Sequence, residues 1–218
     1  MHLAFFTTIS LISRFEGKIK PLITKHRIAG IDLGSKMAGT TVLAINHPLE
    51  LFASQKKQDA DAFILQTVTA NQVTKVYLDA PLSLPGIYRE LPNYQDYFYR
   101  QGDRMLRAMS PMFLGGLTAR AIKLKDQLQD LGVEVFEVYP APLAKMWDLP
   151  TLGYKKQKAN LLPVCNNLRN KLPFSLPDLE MISDWHHVDA LLALAIAYRH
   201  EKGEAQAYGN PQEGIILV

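Results

Sequence analysis

The chain of 218 residues holds a single cysteine, Cys165, which excludes a disulfide scaffold and a zinc site built on several thiolates. That scarcity makes a reducing compartment the default, so a cytoplasmic location is expected. No stretch reaches the 18 or more uninterrupted apolar residues of a membrane span, and no membrane partner is expected. Neither charge sign dominates. The 24 basic and 21 acidic residues leave a formal net charge of +3, which permits a nucleic-acid partner without the strong basicity of a dedicated electrostatic binder. There is no internal repeat and no low-complexity tract. What is present is ordinary globular composition, 48% hydrophobic and 21% charged with 13 Gly and 13 Pro. That excludes disordered, collagen-like and coiled-coil classes.

The length favours one domain with appendages. Residues 1–26 read as an N-terminal extension closed by Pro21. The apolar residues 3–12 have the look of a short signal sequence, but no basic segment precedes them and no small-x-small cleavage site follows. The expectation is an appendage whose apolar half packs on the domain. The domain itself is expected over residues 27–218.

Residues 27–33 form a short apolar run, a buried strand. Residues 39–45 and 49–53 supply two more strands, joined by turn-like spacers into a three-stranded meander. Phe63, Ile64, Thr67 and Val68 fall at helical spacing within residues 59–71. Residues 75–79 are another buried strand, stopped by Pro81. Residues 81–112 hold four prolines (Pro81, Pro85, Pro92, Pro111) together with aromatics and Arg89, Arg100, Arg104 and Arg107, and read as a functional insertion. A helix is expected over residues 114–131, ended by Gly132. A strand follows over residues 133–139, then short helices over 141–182. A long helix is expected over 184–199, with Ser183 or Asp184 as its N-cap. The tail, residues 214–218, has room for one final short strand. This order calls for an α/β fold with a mixed sheet and helices on its faces. Right-handed crossover makes the strands of residues 27–33 and 75–79 parallel neighbours.

The acids sit in unexpected places. Asp32 lies in an apolar strand, Asp79 ends another, and Asp189 sits in the most apolar helical stretch of the chain. A lone buried carboxylate costs several kcal/mol, roughly, unless it is paired or binds a cation. Adjacent strands about 4.8 Å apart would bring Asp32 and Asp79 together, and like charges at that distance raise a pKa or recruit a cation. Ala190, Ala193 and Ala197 form a small-residue stripe that lets Asp189's helix approach the sheet. His186 shares Asp189's face at i, i+3. Three carboxylates with an optional imidazole suit Mg2+ or Mn2+, and such ions promote phosphodiester hydrolysis. Each residue also has a plainer role open to it. Asp32 could form the turn before Gly34, Asp79 could cap a turn, Asp189 could pair with Arg120, and His186 could be an ordinary core or surface histidine. Glu137 is either a salt-bridge partner or a metal contact. Asp103, Arg104 and Arg107 are either a self-pairing cluster or phosphate contacts. Lys155, Lys156 and Lys158 read as a solvated face.

Gly30-Ile-Asp32-Leu-Gly34, Asp79-Ala-Pro-Leu-Ser-Leu-Pro85, Asp103-Arg-x-Leu-Arg107, Leu117-Thr-x-Arg120, Glu137-Val-Tyr-Pro140 and Asp189-Ala-Leu-Leu, with the tail Gly209-Asn-Pro-Gln-Glu-Gly214, resemble domain-of-unknown-function family 429. The likeness runs over about residues 27–218. That family is described as predicted nucleases of the ribonuclease H fold. The resemblance implies a mixed five-stranded sheet and an acidic metal site at Asp32, Asp79 and Asp189, with nucleic acid as partner. His186-x-x-Asp189 is also similar to the last motif of bacterial Holliday-junction resolvases. Two other classes stand beside the metal-dependent nuclease. One is a catalytically silent nucleic-acid or protein-binding module. The other is an ATP-dependent phosphotransferase, since Ile31-Asp-Leu-Gly-Ser-Lys-Met-Ala-Gly39 looks like a phosphate loop. The phosphotransferase class wants a second Asp-x-Gly loop, whereas Asp79 is followed by Ala80-Pro81.

Overall fold

The structure, a computed structural model, describes residues 26–218. The expected N-terminal appendage lies outside the described residues. The strands are β1 (Arg27–Asp32), β2 (Val42–Ile45), β3 (Glu50–Ala53), β4 (Val73–Asp79), β5 (Glu134–Val138), β6 (Ala207–Tyr208) and β7 (Ile216–Leu217). The helices are α1 (Ala60–Ala70), α2 (Gln101–Leu106), α3 (Pro111–Leu114), α4 (Gly116–Asp130), α5 (Pro140–Met146), α6 (Leu161–Leu168) and α7 (Trp185–Glu201).

One mixed sheet runs β3-β2-β1-β4-β5-β7-β6. The first three strands form the expected antiparallel meander. β4 lies parallel beside β1, and β5 parallel beside β4. The count of five strands is corrected to seven. β7 pairs with the outer edge of β5, and β6 folds back on β7. An unpaired parallel edge would leave a row of free backbone donors and acceptors, and the returning tail covers it. With two residues each, these strands are too short to show a period in the sequence.

Helices cover both faces, so the central strands are apolar on both sides. Ala29, Ile31, Val76 and Leu78 pack under α1 and α4 with Ile64, Val68, Leu124 and Leu128. Ile28 and Tyr77 face the other way, into the layer of α5, α6 and α7. Within α7 every residue from His187 to Ala197 is buried, because the helix is held between the sheet and the α5–α6 layer. Asp184 is its N-cap; Oδ1 accepts from the backbone N–H groups of His186 and His187 at 3.0 and 3.2 Å. The helix expected over residues 114–131 is divided at Gly115, whose φ of +50° turns the chain between α3 and α4. Gly132 follows α4 with φ +78°, as expected of a residue beyond a helix end.

The contact that sets the sheet-to-helix distance is at Gly30. A Cβ there would lie 2.1 Å from the Leu194 backbone nitrogen and 2.6 Å from the Ala190 carbonyl oxygen. The backbone of α7 therefore rests directly on the backbone of β1, as the alanine stripe allows. Gly30→Ala is expected to push the helix off the sheet and cost at least about 3 kcal/mol of stability. Chemical denaturation measures it, and a variant within about 0.5 kcal/mol of the parent would contradict this packing.

Candidate functional site

Side chains alternate along β1, so Asp32 shares the α7 face with Ile28 and Gly30. The parallel register sets Asp32 directly opposite Asp79. Both stand at the carboxyl ends of their strands, where open α/β sheets bind ligands. Because α7 is pressed onto β1, its first turns bring His186 and Asp189 to the same end. His186 Nδ1 lies 2.6 Å from Asp32 Oδ2. Tyr154, on the loop between α5 and α6, donates its hydroxyl to Asp189 Oδ1. Lys155 Nζ sits 2.6 Å from Asp189 Oδ2. Asp79 accepts no hydrogen bond from any described residue.

The electrostatics match this geometry. Burial, then the charges of Asp32 and Asp189, hold the Asp79 carboxyl well above the usual carboxylate range. Burial pushes Asp189 up to about 6, against the pull of Lys155 and with the push of Asp32. The hydrogen bond to Asp32 raises His186, so the imidazolium is favoured. With His186 and Lys155 both positive, three ionised carboxylates would leave one negative charge uncompensated, and a proton on the raised Asp79 carboxyl removes it. The four residues singled out from the sequence are therefore brought together.

The expected supporting residues are placed elsewhere. Glu137 points to the α4 face of the sheet, one residue out of phase with Val138 in the α5–α7 layer. There it joins Asp103 on a buried Arg100. Arg100 Nη2 is 2.6 Å from Glu137 Oε1 and 2.7 Å from Asp103 Oδ1. Arg100 Nη1 also donates to Ser83 Oγ at 2.9 Å. Nearby, the Glu213 carboxylate accepts from the backbone N–H groups of Gly86 and Gln101, each at 2.7 Å. Glu137 thus takes the salt-bridge role. The cluster of Asp103 with Arg104 and Arg107 is corrected, because Asp103 is consumed by Arg100. Arg104 instead pairs with Asp96 at 2.6 Å, and its guanidinium lies 4.1 Å over the Tyr99 ring. Arg107 is exposed and forms no ion pair among the described residues. Arg120 binds Asp61 at 2.6 Å and the Gly34 carbonyl at 3.0 Å, so it does not pair with Asp189.

Lys155 is the other correction. Its place is on Asp189 rather than on a wholly solvated face. Tyr154 and Lys155 lie more than 30 residues before Asp189, on a loop with no periodicity to reveal the pairing. Arg100 did carry a local signal, since Asp103 follows it at i+3.

A cleft of about 330 Å³ opens at this end of the sheet, lined by Asp32, Asp79, Glu137, Tyr139, Met109 and Leu117 among others. Asp189 is 2% exposed and does not line it. Among the described residues, no group of three or more His, Cys, Asp or Glu side chains is arranged to hold a metal ion. Lys155 and His186 supply the local positive charge. The donor chemistry still fits a hard divalent cation, and the unpartnered Asp79 is the feature that favours one. Such a cation would compete with Lys155 for Asp189.

Compared with known proteins, the chain matches no family model, no curated protein and no solved structure. No helix among the described residues is long and apolar enough to cross a membrane.

The raised carboxyls fix a pH dependence. For Asp189, the folded state keeps a proton that the unfolded chain releases. Its stabilising contribution is complete below the unfolded value of 3.8 and lost as pH rises through about 6. Asp79 has the same sign. In chelator, Asp79→Asn is expected to match the parent near pH 4. It should melt roughly 2–4 °C higher near pH 8 for each kcal/mol of repulsion removed. Thermal melts across that range test this, and a variant less stable than the parent near pH 8 would contradict it.

Proposed function

We propose that the protein is a divalent-cation-dependent phosphodiester hydrolase acting on nucleic acid, built on a ribonuclease H-like sheet. The observation that carries the reading is Asp79, set in register with Asp32, flanked by Asp189, and left without a partner among the described residues. The fold-level support is an antiparallel meander running into parallel strands, with acids at the ends of the first and fourth strands and on the long final helix. That arrangement agrees with what the resemblance to domain-of-unknown-function family 429 implies.

Asp32 and Asp79 would hold Mg2+ or Mn2+, with Asp189 completing the set. A bound cation supplies Lewis acidity toward a phosphoryl oxygen and lowers the pKa of water. The chain's own residues do the rest. Asp32 fixes the imidazole of His186 through Nδ1, leaving Nε2 to take or give a proton. Lys155, when released from Asp189, stays at the rim as a cation for a phosphate oxygen. Tyr154, held by Asp189 and stacked edge-on to Trp185 at 5.6 Å, keeps bulk water from that side.

A second reading, a catalytically silent module of the same fold, is favoured by one observation. The Lys155–Asp189 and His186–Asp32 pairs already neutralise two of the three acids.

Incubation with labelled DNA and RNA in Mn2+ separates the two. The hydrolase reading expects cleavage that EDTA abolishes and that Asp32→Asn or Asp79→Asn lowers by roughly 100-fold or more, with folding unchanged. Mn2+ should also raise the melting temperature of the parent. Cleavage that survives either substitution, or tight nucleic-acid binding without turnover in Mn2+, would overturn it.

A further inference from the structure

The segment between β4 and α4 buries several polar groups and exposes several large apolar ones. Its charged and hydroxyl groups Arg100, Asp103 and Ser110 are buried, each at 1% exposure or less. Its large apolar side chains face outward: Tyr97, Phe98, Met109 and Phe113 are 51–63% exposed. An apolar surface held out by a buried ionic knot is an interaction surface rather than a packing error.

The rings form one continuous platform. Phe98 and Phe113 have centroids 5.6 Å apart, and Tyr99 meets Phe113 edge-on at 6.0 Å. The guanidinium of Arg104 covers Tyr99, and Arg107 stands exposed at the end of α2. Ser110 ties the two halves together by donating its hydroxyl to the Phe98 carbonyl. Met109, next in the chain to Ser110, lines the cleft that holds Asp32 and Asp79. The platform therefore adjoins the acidic cleft through the Met109–Ser110 step of the chain. Exposed rings with guanidinium groups at their border suit flat π surfaces joined by anionic links. In a duplex the base faces are hidden, whereas a single strand presents them.

We infer that the outward aromatic face of residues 97–113 is a stacking platform for the unpaired bases of single-stranded nucleic acid, directing its backbone toward Asp32 and Asp79. This rests on the hydrolase reading for the direction of the strand and adds to it the form of the substrate. Arg104 and Arg107 contact phosphates at the border, and Met109 guides the strand over the rim. Stacking tolerates any base, so the platform selects for strandedness and not for sequence.

The test is fluorescence anisotropy in EDTA, so that binding is read without turnover. The probes are oligothymidylate, oligouridylate and a duplex, each about 20 nucleotides long. Single strands are expected to bind at least about tenfold more tightly than the duplex. Phe113→Ala should weaken single-strand binding roughly tenfold or more, while Phe113→Trp retains it. Arg107→Gln should lower the salt slope by about one. Thymidylate against uridylate distinguishes DNA from RNA. Equal binding of duplex and single strand, or an unchanged Phe113→Ala, would overturn the platform. So would a self-associating chain that Phe113→Ala renders monomeric while oligonucleotides are ignored. Single-strand preference without cleavage in Mn2+ upholds the platform and removes the hydrolase. Duplex cleavage without that preference does the reverse.

Discussion

The backbone of α7 lies on the backbone of β1 at Gly30, and the gathering of the acids at this end of the sheet depends on that contact. No side chain intervenes, so the helix cannot be held at the ordinary distance from the sheet. The register between β1 and β4 then fixes two carboxylates side by side, and the first turns of α7 deliver a third together with an imidazole. Repulsion among the acids opposes this assembly. Burial of α7 from His187 to Ala197, and of the strands beneath it, is what holds it in place.

Two ionic groupings lie near each other at the end of the sheet, and they differ in balance. Around Arg100, every acid is met by donors: Glu137 and Asp103 share the guanidinium, and Glu213 takes two backbone N–H groups. That grouping joins the insertion, β5 and the tail, and each of its carboxylates is met by a donor. Around Asp79 the balance fails. Lys155 and His186 meet two acids, and the third has no donor among the described residues. A structural network is expected to close its hydrogen bonds, so the open position is what favours the second grouping as the site in the proposed function. Lys155 gives the site two states. It neutralises Asp189 when nothing else does, and a cation of higher charge would displace it.

The legible part of this architecture was the part written in local pattern. Apolar runs marked β1, β4 and β5, and their acids stood out because a carboxylate in such a run needs a reason. The crossover rule then placed β1 beside β4, and the alanine stripe on α7 supplied the third acid. Pairings across long separations were not legible. Nothing in the spacing ties Lys155 to Asp189, because Lys155 lies on a loop that carries no period. Arg100 could have been read against Asp103, but its burial follows from how the insertion folds over β5, which composition does not reveal. β7 falls within the tail segment where a final short strand had room, whereas β6, two residues long and stabilised only by pairing with β7, left no trace in the sequence. Gly115 sits within the expected helix over 114–131, and its positive φ became evident only with the chain's change of direction.

The central claim is that the acids at Asp32, Asp79 and Asp189 constitute a latent divalent-cation site with Lys155 as its resident counter-charge. The most direct measurement is anomalous diffraction from crystals soaked in Mn2+. The account predicts a single dominant region of anomalous density between the Asp32 and Asp79 carboxylates, with Lys155 Nζ moved away from Asp189 Oδ2. Crystals that show no density there, with Lys155 still paired to Asp189 and Asp79 still unpartnered, would contradict it.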